Sequence, residues 1–169
     1  YFNLFKTKIN TMIIFLIMQQ RICLVCLIII FVFLSEGCRV TLVPDYDDSI
    51  SHEILETAKR VDKFYLDMQE TTVNENGDRA YNNMVDSYVE IEIELSSLLS
   101  KNKIRPLNEN SIRICEITLE LWVKYKEEHK EDNELSDGLI KLNRLTFSDL
   151  FYAMLVAEKA KEIISNPPK

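Results

Sequence analysis

A chain of 169 residues with 47% hydrophobic and 28% charged side chains has the size and balance of one globular domain. Three glycines and four prolines exclude collagen-like and Gly/Pro-rich disordered sequences and speak against a many-turned β-sandwich. Twenty basic against 27 acidic residues leave a net charge of −7 and a pI near 5.0, so no nucleic-acid partner is expected.

The densest apolar block comes first. Ile22 to Leu34 is a run of 13 apolar residues, too short to cross a bilayer alone but suited to the apolar region of a secretory signal. Met18, Gln19, Gln20 and Arg21 stand just before it, a start residue with a positive charge close behind. Residues 1–17 then read as upstream translated sequence, with Met12 as the rival start.

Leu34, Ser35, Glu36, Gly37 and Cys38 close the run. This stretch resembles the lipobox of bacterial lipoproteins, where a small residue precedes the cysteine that is acylated and becomes residue one. Ser35 and Glu36 replace the usual aliphatic and small residues, and Leu34 stands one position early. The Gly37–Cys38 pair keeps its place. The resemblance implies lipidation at Cys38 and a signal peptide within residues 1–37. With Arg39 rather than Asp after the cysteine, it also implies the outer membrane rather than retention at the inner one. An uncleaved anchor over residues 13–34 and simple secretion are the alternatives. Diacylglycerol plus an amide-linked acyl chain, at about 0.8 kcal/mol per buried methylene, exceeds what stable anchoring requires.

Cleavage before Cys38 removes Lys6, Lys8, Arg21 and Glu36, leaving 132 residues with 17 basic and 26 acidic groups, a net of −9. Cys23 and Cys26 leave with the signal, where their spacing reflects composition rather than metal or redox chemistry. Cys115 is then the one free thiol, and no intramolecular disulfide is possible.

Residues 38–46 read as a tether stem and 47–166 as a helical domain. Asp47 or Asp48 caps a first helix with an apolar stripe of Ile50, Ile54, Val61, Phe64, Tyr65 and Met68. Asn74 to Asp78 form a turn, with Gly77 free to take positive φ and Asp78 able to cap the second helical segment. In that second segment Val89 to Leu95 alternates as a strand would, yet Tyr81, Met84, Tyr88, Ile91, Leu95 and Leu98 keep helical spacing throughout. No second alternating run offers a partner, so a helix is expected, with Val89 and Ile93 on its outer faces. Asn102 and Pro106 end it.

Asn108 to Ser111 supply caps for a third helix, with Ile114, Ile117, Leu121 and Tyr125 on one face and Cys115, Trp122 and His129 beside it. Ser136 caps a fourth, with Leu135 and Ile140 placed as a hydrophobic staple. Thr146 to Asp149 are a place where it bends or splits, and Pro167 stops it. The expected fold is all-α: an antiparallel up-down four-helix bundle after an N-terminal signal or anchor helix.

Thr41-Leu42-Val43-Pro44-Asp45-Tyr46-Asp47, closely following Cys38 and leading to Ile50, Phe64 and Met68, resembles the start of a group of small, uncharacterised Gram-negative lipoproteins. The likeness continues more loosely through Trp122, His129, Leu135-Ser136 and Ala157 to Lys161. The proline precedes Asp45 here rather than standing beside the tyrosine. The group implies a lipid-anchored helical fold and brings no activity with it.

Chemistry-bearing constellations are sparse. Glu90, Glu92 and Glu94 lie two apart and point in different directions on a helix, so they cannot converge on one ion. Neither His52 nor His129 has a glutamate three positions earlier, as carboxylate-bridged metal bundles need. Cys115 and His129 lack companions for zinc. No metal, cofactor or catalytic residue is therefore assigned. Trp122, Tyr125 and His129, near Tyr81 and Tyr88, are either core with satisfied polar tips or a partner surface. The expected function is a non-enzymatic binding or scaffolding module for another envelope protein, held to the membrane by its lipid; an exclusion or immunity lipoprotein falls in the same class. The alternative is an envelope hydrolase or metal-dependent enzyme using His52 or His129 with carboxylates.

Overall fold

The computed structural model describes residues 18–21, 24, 43–71 and 79–165. Cys38, most of the segment read as a signal, the stem before Val43, the turn expected at Asn74–Asp78 and Pro167 lie outside the described residues. Met18 to Arg21 and Leu24 are helical. Residues 42–169 form a compact unit of their own. No described helix is long and apolar enough to cross a membrane.

Among the described residues the secondary structure is entirely helical. Helix α1 spans Asp48–Glu70, α2 Val85–Lys103, α3 Glu109–Asp132 and α4 Asp137–Ser165, with a 3₁₀ turn at Tyr81–Asn83 before α2. Each α-helix packs on its chain neighbours among the four, and α1 packs on α4.

Local chemistry explains most boundaries. Asp47 caps α1 by accepting from Ser49 N at 2.9 Å and Ser49 Oγ at 2.6 Å. The second helical stripe begins later than its spacing predicts. Tyr81–Asn83 tighten into the 3₁₀ turn, and Asn133 Oδ1 accepts from Tyr81 N at 3.2 Å. The alternating Val89–Leu95 run is helical, with Ile91 and Leu95 buried and Val89 and Ile93 46% and 63% exposed.

Asn108 stands at the N-cap of α3, but its side chain makes no cap bond and turns instead to Asn102. The buried face of α3 is Ser111, Cys115, Thr118, Trp122 and His129. The run of Ile114, Leu121 and Tyr125 is only half-buried. Asn133 ends α3 in the left-handed conformation, with its N–H on His129 O at 2.8 Å. Ser136 Oγ accepts from Leu139 N at 3.3 Å, and Leu135 and Ile140 are both buried. Helix α4 runs unbroken through Thr146–Asp149, where Thr146 Oγ1 donates back to Leu142 O at 2.9 Å.

Every helix sends an aromatic ring to the centre. Phe64 of α1 meets Tyr88 of α2 at 4.7 Å and Trp122 of α3 at 5.3 Å between centroids, and Trp122 meets Phe147 of α4 at 5.5 Å. These contacts are edge-on, which sets a ring's positive rim against its neighbour's negative face. Trp122 is fully buried because its one polar atom is satisfied: Nε1 donates to Tyr88 O at 3.1 Å.

Two arginines, Arg79 buried and Arg105 partly buried, tie the ends of α1. Arg79 Nε donates to Thr71 O at 2.9 Å and its Nη2 to Gln69 O at 3.2 Å, satisfying carbonyls that α1 leaves open. Its Nη1 reaches Asp137 Oδ1 at 2.6 Å, at the start of α4. Arg105 does the equivalent at the other end, bonding Asp45 O ahead of α1 and Glu158 near the end of α4.

The turn that carries Arg105 forces Leu107 to φ 59°, in the left-handed region. A β-carbon there costs roughly 1–2 kcal/mol, and Leu107 is half exposed. Leu107→Gly is expected to raise stability by about 0.5–1 kcal/mol, read as a higher urea midpoint at unchanged m-value.

Candidate functional site

His129 is fully buried on α3, and both its ring nitrogens are engaged. Nε2 faces Arg79 O at 2.8 Å and Nδ1 faces Tyr88 Oη at 3.0 Å. The geometry fits one neutral tautomer, with Nε2–H donating to the carbonyl and Nδ1 accepting the tyrosine hydrogen. Burial pulls its pKa below the ordinary 6.5, against the opposing pull of the Arg79 carbonyl and Asp132. Such an imidazole is a tie between α2, α3 and the Arg79 segment rather than a base open to substrate.

Of the two readings of Trp122, Tyr125 and His129, core with satisfied polar tips describes Trp122 and His129. Trp122 and His129 are buried, because each finds a backbone carbonyl inside, and neither offers a face to a partner. Tyr125 is half-buried, its ring edge-on to Phe147 at 5.8 Å. His52 is exposed on the first turns of α1, while Glu53 beside it turns to Lys101 at 2.6 Å and Ser97 at 3.3 Å. His52 and His129 thus stand in different surroundings and share no site.

Cys115 is buried, and burial pushes its thiol up to about 12. A sulfur so rarely ionised is no nucleophile at neutral pH. The three glutamates of α2 diverge: Glu92 pairs with Lys126 of α3, Glu94 with Arg60 of α1, and Glu90 faces solvent. Among the described residues no three His, Cys, Asp or Glu side chains gather closely enough to hold a metal ion.

The most charged buried site was not legible in the sequence. Glu158 of α4, 1% exposed, accepts a two-pronged contact from Arg105, Nη2 to Oε1 at 2.9 Å and Nη1 to Oε2 at 3.0 Å. Its Oε1 also accepts from Asp47 N at 3.0 Å, and its Oε2 from Lys161 Nζ at 2.6 Å. Lys161 donates further to Asn108 Oδ1 at 2.7 Å and Ser111 Oγ at 3.0 Å, so its three ammonium hydrogens each have an acceptor. Asn108 passes the chain on to Asn102 at 2.9 Å.

Burial alone would raise the Glu158 pKa, but the bonds from Arg105, Lys161 and Asp47 outweigh it and hold the carboxyl below its ordinary range. Burial lowers the pKa of Lys161 and Arg105 lowers it further, while Glu158 opposes both. The two directions agree physically: one carboxylate serves two cations, and the second cation is the less favoured. The spacing of Glu158 and Lys161 shows an ordinary surface pair three apart. Only the return of the Arg105 turn across the helix end buries them.

An open groove of about 470 Å³ lies between α1 and α4. Leu55, Val61, Phe147, Phe151 and Leu155 form its floor, and Lys59, Asp62, Arg144 and Ser148 its rim. Asp62 and Arg144 are paired at 2.6 Å. The groove can receive apolar side chains, and its lining contains no histidine or cysteine. Comparison with protein-family models, curated protein sequences and solved structures finds no match to this chain.

Two outcomes are expected. Glu158→Gln leaves buried Lys161 and partly buried Arg105 without their anion and lowers unfolding free energy by about 3–5 kcal/mol, measurable by urea denaturation. The second concerns pH. His129 is neutral when folded and takes a proton more readily when unfolded, so its contribution is complete above pH 6.5 and is lost as pH falls toward the folded value. Glu158 adds a loss of the same sign below its unfolded value of 4.5. Stability should therefore decline already between pH 6.5 and 5, and His129→Gln should flatten that part of the profile while lowering its plateau.

Proposed function

We propose that this protein is a lipid-anchored cell-envelope module that works by binding or scaffolding another envelope protein rather than by catalysis. In this reading Cys38 carries the lipid, residues 1–37 are removed as signal, and Arg39 directs the domain to the periplasmic face of the outer membrane. The domain is an antiparallel up-down four-helix bundle, a topology that accounts for Arg105 and Arg79 meeting opposite ends of both α1 and α4. The likeness of the Thr41–Asp47 stem to small Gram-negative lipoproteins supports the same assignment.

The observation that carries the reading is the fixing of the stem. Arg105 holds Asp45 O, and Glu158 holds Asp47 N, so the chain becomes part of the folded body seven residues after Cys38. Seven extended residues reach at most about 25 Å. A domain tied this closely meets neighbours in the same leaflet at high effective concentration. The groups best able to do chemistry, His129, Cys115, Glu158 and Lys161, are all buried and bonded internally. A net charge of −9 after cleavage favours a basic protein partner over lipopolysaccharide phosphates.

Metabolic labelling with palmitate in a Gram-negative host is expected to mark the wild-type chain and to fail with Cys38→Ala. Crosslinking from intact envelopes should recover one specific partner with wild type and lose it with the same variant. Label retained by Cys38→Ala would overturn the anchor, and turnover of an ester or amide substrate by the purified chain would overturn the non-catalytic role.

A further inference from the structure

The side of α4 turned away from the core carries an apolar row that no described element covers. Leu145, Tyr152, Val156 and Ile163 are 60%, 70%, 50% and 63% exposed. With Asp149 and Lys159, also exposed, they follow the alternating three- and four-residue spacing of a coiled-coil seam over 19 residues. Ala153 and Ala160 flank the row and leave room for close approach. On a monomer, a seam of this length is an unusual place for large apolar side chains.

The row's pattern of apolar and charged positions is symmetric about residue 154. Laid antiparallel on a second α4, with the two-fold axis at residue 154, Leu145 meets Ile163 of the other copy and Tyr152 meets Val156. The two polar positions then coincide: Asp149 meets Lys159 of the other copy, and the symmetry makes this pair twice. In a parallel in-register pairing the same residues would set Asp149 on Asp149 and Lys159 on Lys159. Charge therefore selects one partner and one orientation.

We propose that this face of α4 binds a second copy of this chain, forming a two-fold symmetric, antiparallel helix pair centred on residue 154. A two-fold interface uses one patch on both subunits, so the patch must complement itself, and this one does. The seam runs about 27 Å along the helix. A contact from one helix pair falls at the small end of specific interfaces, below about 1,200 Å² in total, where weak and transient associations sit. The proposal stands independently of the lipid anchor and of any envelope partner.

Charge reversal tests it on the full-length chain in excess detergent micelles, by sedimentation equilibrium from 1 to about 200 µM. Wild type should be a monomer–dimer mixture across this range. Asp149→Lys alone and Lys159→Asp alone should each weaken dimerisation at least tenfold, since each sets two like-charged pairs in the seam. The double variant Asp149→Lys/Lys159→Asp should restore it, and an equimolar mixture of the two single variants should form the heterodimer. Lys159 also bonds Glu162 and lies over the Tyr46 ring, and rescue by the double variant separates the seam from those local contacts. A monomer throughout the range, or a dimer indifferent to both reversals, would overturn the proposal; the second result would place self-association elsewhere in the chain. Circular dichroism of each variant confirms that these surface changes leave the helices intact.

Discussion

Glu158 holds three charges in a space that water hardly reaches, and the geometry of the domain depends on how they are satisfied. A buried carboxylate is tolerable when its lone pairs are filled by donors, and here Arg105, Lys161 and the Asp47 N–H fill them. Those donors come from the turn between α2 and α3, the last turns of α4 and the entry to α1. Three remote stretches of chain are thereby required to arrive at one point. The contribution is to specificity of arrangement as much as to stability, because an apolar trio could slide where this one cannot. Arg79 imposes the matching condition at the far end of α1, where Thr71, Gln69, Leu135 and Asp137 all face it.

Between these two clips the aromatic cluster of Phe64, Tyr88, Trp122 and Phe147 fills the centre. Polar atoms are carried inward only where a backbone carbonyl waits for them. The indole of Trp122 and the imidazole of His129 both end on such carbonyls. Outside lie His52, most of the charged groups and the exposed apolar side chains of α4.

The helical segments were legible because apolar spacing persisted over many turns. Even the alternating Val89–Leu95 stretch yielded, since Tyr88, Ile91, Leu95 and Leu98 continue a helical stripe beyond it. Boundaries were less legible where side chains had competing partners. Asn108 has the identity and place of a cap, yet Lys161 and Asn102 claim it. On α3 the most apolar residues do not mark the deepest face: Ile114 and Leu121 are half-buried, while Ser111 and Thr118 lie inside. Thr118 is at home there because its hydroxyl donates to Ile114 O at 2.8 Å. Charged core residues were the least legible. A lysine and a glutamate three apart look solvated until a distant arginine closes over them.

The sealing of Cys115 has a consequence for its thiol chemistry. Its sulfur points inward from α3, with the Asn102 amide of α2 at 3.6 Å, and burial pushes its pKa up to about 12. Once the helices close, oxidants and disulfide-exchange enzymes find no thiolate to capture. Cys115 is also the one cysteine of residues 42–169, so that unit has no internal disulfide to form.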